Sequence, residues 1–312
     1  MEIKAYKKDF SKLGFRMLAV AVIIYGVQMI SHGIVLNINE DWINNMNIML
    51  AAGMLPMYAV GFPAAFLLMG RGSGRETIEK HNMKPGHLVL AFLMSYTLLM
   101  AGNIVGLAFT AGLGFIKGEP VTNAMVEVLG DGNVWISAIY MVLFAPVYEE
   151  YLFRKLICDR VVKYGQGMTI MISGLMFGLF HSNFNQFFYA FTIGCFFAFI
   201  YVKTGRVIYT IILHMAVNFL GSVVGGLMIQ NIDPENVTVS GMIVSSVYVL
   251  CIFSVVIAGA VLFLANLSKL KAAPGEITIP KGSRFNTAIM NAGMFLFCLV
   301  FVASMVYQAF CI

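Results

Sequence analysis

The chain has 312 residues, of which 60% are hydrophobic and only 11% are charged. Its mean hydropathy of +0.85 excludes a water-soluble domain, because such a domain would expose large apolar patches to water. The formal net charge of +5 does not indicate nucleic-acid binding, since the basic residues lie at the ends of apolar segments, where lipid headgroups account for them.

Nine apolar segments follow one another, each long enough to cross much of a hydrocarbon core of about 30 Å as a helix. The first is too long for a cleavable signal peptide and lacks a small-residue cleavage site, so we expect it to stay in the protein. The sequence predicts an all-α, polytopic membrane helix bundle of about nine transmembrane helices. The segments are approximately 14–37, 46–70, 86–115, 133–153, 166–183, 186–202, 207–229, 238–266 and 286–310.

The hydrophilic connections are short, so no soluble domain is expected. We predict three parts: N-terminal helices 1–3 in residues 1–132, a core in residues 133–222, and two C-terminal helices in residues 223–312. The core carries ionisable groups at membrane depth, which cost about 2.5–3.5 kcal/mol each on insertion and mark a functional site. The five cysteines lack CxxC spacing and are interpreted as packing residues.

The charged residues predict an orientation. All of the 20 lysines and arginines except Lys117 lie before or at the start of the first predicted helix or follow an even-numbered one. By the positive-inside rule, the N-terminus is cytoplasmic and, with nine spans, the C-terminus is outside. The loops on the outer side carry acidic residues: Glu40, Asp41, Glu119, Glu127, Asp131, Asp233 and Glu235.

Predicted helix 4 ends with two adjacent carboxylates, Glu149 and Glu150, followed by Arg154. Glu150 and Arg154 are four residues apart, so they share a helix face and can form a salt bridge. Glu149 points about 100° away and has no local counter-charge. An unpaired carboxylate in a low-dielectric site is typical of a general base. The alternative is that both acids neutralise Arg154 and Lys155 at the membrane edge.

Two further pairs at i,i+4 spacing lie on predicted helices 5 and 7. Phe177 and His181 place a ring and an imidazole on one face, although a lone histidine can equally be a helix-end or core residue. His214 and Asn218 direct two hydrogen-bond donors to one point, as an oxyanion hole requires. The alternative for that pair is an interhelical hydrogen bond that holds the bundle together.

The depth of His181 constrains helices 5 and 6. If helix 5 starts near Gly167, His181 lies about 20 Å deep, whereas Glu149 and His214 lie roughly 10 Å deep. Helices 5 and 6, joined by the polar turn 182–186, would bring these groups together as a short hairpin that begins below the membrane plane. We therefore predict such a hairpin as an alternative to two full spans.

The three motifs, taken together and in order, resemble the signature of the CPBP family of intramembrane proteases. That family includes type II CAAX prenyl endopeptidases and bacterial relatives linked to bacteriocin processing and self-immunity. Elsewhere the chain is similar to the family only in having membrane helices. The motifs are Glu149-Glu150-x-x-x-Arg154, Phe177-x-x-x-His181 and His214-x-x-x-Asn218.

The resemblance implies an intramembrane endopeptidase and a role for each matching residue. Glu149 and His181 would activate a water molecule, and His214 and Asn218 would stabilise the oxyanion. Three further residues would support them: Glu150, Arg154 and Phe177.

The resemblance also implies a cofactor state, a substrate class and a location. We expect no cofactor, because no HExxH helix is present. The alternative is zinc held by Glu149, His181 and His214. The expected substrate is a membrane-associated peptide or a prenylated CAAX-type protein, cut near the cytoplasmic leaflet. Compact loops favour the bacterial members, so we expect a bacterial plasma membrane.

Two other functions are compatible with the same residues. A non-catalytic immunity or regulatory membrane protein would keep the scaffold and bind a peptide, but it needs no paired base and oxyanion donors. A proton-coupled transporter would use intramembrane Glu and His residues as a relay, but it leaves the spacing of His214 and Asn218 unexplained.

Overall fold

The computed structural model describes residues 2–71, 74–231 and 238–311, without the side chains of residues 124, 125, 127, 131 and 231. The described residues form helices and no strand. The predicted all-α polytopic bundle is confirmed, since eight of the described helices are long and apolar enough to cross a membrane. Four acidic residues of the predicted outer loops are not fully among the described residues. Asp233 and Glu235 lie outside them, and for Glu127 and Asp131 only the backbone is described.

Nine helices correspond to the nine predicted segments, and we number them in chain order. Eight are candidate spans, while α5 has 15 residues and is about 22 Å long at 1.5 Å per residue. They are α1 (Glu2–Ile38), α2 (Met46–Gly70), α3 (Pro85–Lys117), α4 (Val134–Tyr164), α5 (Gln166–Phe180), α6 (Phe184–Thr204), α7 (Val207–Gln230), α8 (Val239–Lys269) and α9 (Ala292–Cys311).

Two helices extend about ten residues beyond their predicted bounds. Helix α1 begins at Glu2 rather than near residue 14, because its polar first turns are helix formers that need no hydrocarbon around them. Helix α4 continues past residue 153 to Tyr164. Its π-helical stretch Tyr151–Cys158 carries Arg154 in the bundle interior, so this charge does not end the helix.

Several helices end where the sequence has capping residues. Helix α3 starts at Pro85, whose missing N–H would have no helical partner there, and ends before Gly118 at φ +87°. Helix α6 starts after Asn183, whose side chain accepts a hydrogen bond from the Gln186 N–H, and ends before Gly205 at φ +59°.

Helices α5 and α6 form a tightly packed hairpin. A Cβ atom on Gly174 would overlap the Cys195 sulfur, and one on Gly194 would lie 2.9 Å from the Phe177 ring. The glycines therefore allow the two backbones to approach closely. Helix α3 covers the other side of α6, where Gly102 packs against the Tyr189 backbone.

The outer helices differ in how much protein surrounds them. Helix α1 packs against α2 and α9. Helix α8 packs on α3, where the Thr97 hydroxyl donates a hydrogen bond to the Val256 carbonyl at 2.8 Å. Only 6% of the apolar window of α8 is buried, so most of its surface is available to lipid. The buried polar residues concentrate instead on α4 to α7.

Candidate active site

Glu150 and Arg154 form a buried ion pair in the centre of the bundle. The Arg154 Nε atom lies 2.8 Å from Glu150 Oε2, and Nη2 lies 3.1 Å from Oε1. Both side chains are inaccessible to solvent. The salt bridge that the i,i+4 spacing predicted is therefore present, and the hydrogen bond from Nη2 to Oε1 compensates part of the cost of burying two charges.

Aromatic rings enclose the guanidinium of Arg154. Its Cζ atom lies 4.8 Å from the centroid of the Phe177 ring and 5.8 Å from that of Phe197. These distances allow cation–π interactions, which are strongest where water is absent. A further hydrogen bond runs from Arg154 Nη1 to the Ser173 hydroxyl at 3.1 Å, so α5 and α6 both contact this cation.

His214 lies between the two carboxylates of α4. Its Nδ1 atom is 3.0 Å from Glu150 Oε1, and its Nε2 atom is 3.9 Å from Glu149 Oε2. Because the Glu150 carboxylate accepts hydrogen bonds, Nδ1 carries a proton and donates it. Glu149 is partly open, with a side-chain exposure of 21% against 0% for Glu150. The two adjacent acids thus have different surroundings, as their spacing predicted.

His181 joins the cluster through the ring of Phe177. Its Nδ1 atom lies 2.8 Å from the Phe177 carbonyl oxygen, which can only accept, so Nδ1 carries the proton. The neutral ring then has Nε2 free of a proton. The imidazole packs edge-on against the Phe177 ring at 4.9 Å, and the His214 imidazole contacts the same ring at 5.8 Å. The structure thus brings the two histidines to one aromatic ring.

Asn218 fills a gap in the hydrogen bonding of α4. Helix α4 is π-helical at Ile139–Phe144, where the Ala145 N–H bonds to the Tyr140 carbonyl. The Met141 carbonyl receives no bond from Ala145 and none from Pro146, which has no N–H. The Asn218 amide nitrogen donates to this carbonyl at 2.7 Å. One N–H of Asn218 therefore has a structural partner.

Two polar residues of the cluster were not among the site residues predicted from the sequence. Ser173 lies four residues before Phe177, and Thr210 lies four residues before His214. Ser173 contacts Arg154, and the Thr210 side chain interacts with Glu150. The i,i+4 pattern that revealed the two motifs extends one turn further on each helix, and this signal could have identified both residues.

Helix α1 also reaches the turn that follows His181. The Tyr25 hydroxyl lies 3.0 Å from the Phe180 carbonyl and 2.9 Å from the Ser182 hydroxyl. Ser182 has φ +57°, a left-handed conformation that is uncommon for a residue with a side chain. No local sequence signal links Tyr25 to this turn, because the contact joins residues more than 150 positions apart.

The zinc alternative requires a cluster of metal ligands. Among the residues that the structure describes, no three His, Cys, Asp or Glu side chains are grouped so that they could hold a metal ion. Glu149, His181 and His214 are thus not grouped as a metal-ligand set in this structure. The contact that joins Glu149 to His214, at 3.9 Å, is longer than a hydrogen bond.

Comparison with known proteins supports the resemblance seen in the motifs. Residues 131–220 match the model of the family described as type II CAAX prenyl endopeptidase Rce1-like. The chain is also similar to the membrane-embedded CAAX protease MroQ of Staphylococcus aureus (strain USA300), with 28% identity over 151 residues. This alignment covers 46% of the chain and 58% of that relative. No solved structure matches. The predicted resemblance is confirmed.

Proposed function

We propose, from the match of residues 131–220 to type II CAAX prenyl endopeptidases, that this chain is an intramembrane endopeptidase. The observation that carries the proposal is the position of His214 between two carboxylates, 3.0 Å from Glu150 and 3.9 Å from Glu149. An imidazole held by one buried acid and directed to a second, partly open acid is an arrangement suited to proton transfer.

Glu149 is the proposed base that activates water. In this mechanism it removes a proton from a water molecule while the oxygen attacks the carbonyl carbon of the peptide bond. The Nε2 atom of His181 accepts a hydrogen bond from the O–H that stays on that oxygen, since its Nδ1–H is bonded to the Phe177 carbonyl. The proton taken by Glu149 then passes to the leaving nitrogen as the C–N bond breaks, which yields a carboxylic acid and an amine.

His214 is the proposed donor to the oxyanion. His214 can donate from Nε2 while its Nδ1 atom donates to Glu150 only in the imidazolium form, in which both ring nitrogens carry a proton. Its Nε2–H then faces Glu149 at 3.9 Å. When Glu149 takes a proton from water it loses its charge, so the Nε2–H becomes available to the oxyanion that forms at the same moment.

Asn218 is the second proposed donor, through the N–H that does not serve the Met141 carbonyl. Replacing Asn218 by Ala should lower kcat by about 100- to 1,000-fold, as for other oxyanion-hole donors, with little change in KM. An unchanged kcat would remove Asn218 from the oxyanion hole and leave it the structural role seen in its bond to Met141.

The proposed substrate is a membrane-associated peptide or a CAAX-type protein. Residues 133–222 would form the catalytic core, with residues 1–132 and 223–312 as flanking membrane helices. If the basic end of the bundle is cytoplasmic, as the charge pattern predicts, cleavage takes place near the cytoplasmic leaflet of a bacterial plasma membrane. The proposed mechanism uses no cofactor.

A comparison of peptide termini in membranes tests the proposal. Cells would express the wild type, Glu149→Gln or the control Glu79→Gln at matched levels, and Glu79 is a loop carboxylate whose side chain is 85% exposed. We expect new peptide termini with the wild type and the control that disappear with Glu149→Gln. Identical profiles from all three folded proteins would instead favour a non-catalytic immunity or regulatory protein.

Metal dependence is tested with the same substrates once they are known. A metal-free mechanism predicts that cleavage by the purified protein survives treatment with EDTA. Loss of cleavage with EDTA and its recovery with Zn²⁺ would indicate that Glu149 binds a metal ion and does not act as the base. His181 and His214 would be the other candidate ligands.

A further inference from the structure

We propose that a cavity at the basic end of the bundle, between α1 and α4, binds a phosphate-bearing anion. The cavity has a volume of about 380 Å³. It is separate from the cluster around Glu149 and lies toward the C-terminal end of α4. Its charged lining residues are Asp9, Lys12, Arg16, Arg160 and Lys163.

The cavity has more cations than anions. Its one carboxylate, Asp9, accepts a hydrogen bond from Lys163 at 2.9 Å and another from the Tyr164 hydroxyl at 2.8 Å. Asp9 is therefore already engaged on the α4 side. Lys12, Arg16 and Arg160 form no ion pair with any carboxylate among the described residues.

Arg160 is a buried cation at the wall of this cavity. The residue is only 8% exposed, and its two Nη atoms donate to the Leu156 and Met69 carbonyls. Its Nε atom is buried and has no hydrogen-bond partner among the described residues. The neighbouring Asp159 is engaged by Lys155 and by Tyr201, each at 2.7 Å. Asp159, the carboxylate whose charge acts on Arg160, is thus shared with two other partners.

Other cations surround Arg160. Arg16 of α1 and Arg75 of the connection after α2 lie close enough for their charges to interact unfavourably with that of Arg160. Like charges at a partly buried site raise the free energy of the folded state unless an anion lies between them. Guanidinium groups bind the oxygens of a phosphate in pairs, and several of them can share one phosphate group.

The position of the cavity favours an anionic phospholipid as the source of the phosphate. Helix α1 has 37 residues and is about 55 Å long, well beyond a hydrocarbon core of about 30 Å. Its basic first turns therefore lie at the level of the headgroups. Next to Arg16, the Phe15 side chain is 47% exposed and offers an apolar surface to an acyl chain. A soluble phosphate compound offers the same phosphate oxygens to the cavity, and the experiment below distinguishes it from a lipid.

The test compares two variants that lose the same number of charges. Lys12→Gln/Arg16→Gln removes two cations of the cavity, whereas Lys271→Gln/Lys281→Gln removes two exposed lysines of the connection between α8 and α9. Binding of phosphatidylglycerol to the full chain in detergent is measured by native mass spectrometry, with phosphatidylcholine as the neutral lipid. In parallel, inorganic phosphate is titrated against the thermal unfolding of each protein.

We expect the cavity variant to bind phosphatidylglycerol about thirtyfold more weakly than the wild type and the control variant. If instead inorganic phosphate raises the Tm of the wild type and the control but not of the cavity variant, the anion comes from a soluble compound. Either result supports the site. Equal responses of both variants to both probes would overturn it, and the single variant Lys12→Gln, at an exposed position, repeats the test if the double variant unfolds.

Discussion

Two groups of charges on α4 are arranged in opposite ways. In the central cluster, Arg154 and His214 each face a carboxylate at 2.8–3.0 Å. In the basic cavity about a turn and a half further along the helix, Arg160 has neighbouring cations, and it forms no ion pair with a carboxylate in the part of the chain that the structure describes. The central charges stabilise one another, while Arg16 and Arg160 of the cavity repel one another. We call the central group matched, because its cations face carboxylates, and the cavity group unmatched, because its cations outnumber its carboxylates. A matched group fixes the geometry of its own side chains, whereas an unmatched group is suited to bind an anionic ligand.

The largest expected effect comes from removing the carboxylate that links the matched charges. Glu150→Gln leaves Arg154 and His214 without their shared partner in a fully buried site. We expect the free energy of unfolding to fall by about 3–5 kcal/mol, as for other buried ion pairs that lose one member. The measurement is unfolding of the purified protein in mixed micelles of increasing SDS content.

The adjacent residue provides the control for that experiment. Glu149→Gln makes the same chemical change one position earlier, but Glu149 is partly exposed and its Oε2 atom lies 3.9 Å from His214 Nε2, beyond hydrogen-bond distance. We expect Glu149→Gln to lower stability by less than about 1 kcal/mol. A loss as large as that of Glu150→Gln would show that Glu149 is a structural member of the matched cluster and would weaken its role as a base.

A smaller effect is expected where a neutral amide completes the cluster. Asn218→Ala leaves the Met141 carbonyl without a donor, so the free energy of unfolding should fall by about 1–3 kcal/mol. Pro146→Ala supplies a backbone N–H that can bond to the same carbonyl. We expect Asn218→Ala to cost less in the Pro146→Ala background, and equal costs in both backgrounds would rule out the missing proline N–H as the reason for the Asn218 bond.

These contacts separate what the sequence predicts from what it does not. The bond between Glu150 and Arg154 and the common face of Phe177 and His181 follow from helix geometry, which is local. The bond from Asn218 to Met141 depends on a π-helical shift in α4, and only Pro146 hints at it. The contact of Tyr25 on α1 with the turn after His181 depends on how distant helices pack, which hydropathy does not specify.

Helix α1 contributes a weaker contact to the cluster through Tyr25. Tyr25→Phe removes the hydroxyl that bonds to the turn after His181, and we expect a loss of about 0.5–1.5 kcal/mol in stability. Tyr307→Phe is the control, because Tyr307 on α9 is 61% exposed. If both changes have the same small effect, the hydroxyl of Tyr25 does not hold the turn.

The smallest expected effect has the opposite sign and lies in the basic cavity. Arg16→Gln removes one of the cations that repel Arg160, so without phosphate or anionic lipid it should raise the free energy of unfolding by a few tenths of a kcal/mol. The measurement is thermal unfolding in a neutral detergent at low ionic strength, and 1 M NaCl should abolish the gain because salt screens charges near the surface. If Arg16→Gln instead destabilises the protein under these conditions, the cations of the cavity already have partners, and the contrast between the two groups of charges would disappear. A gain that turns into a loss when phosphatidylglycerol is added would show the same cations passing from mutual repulsion to shared binding of an anion.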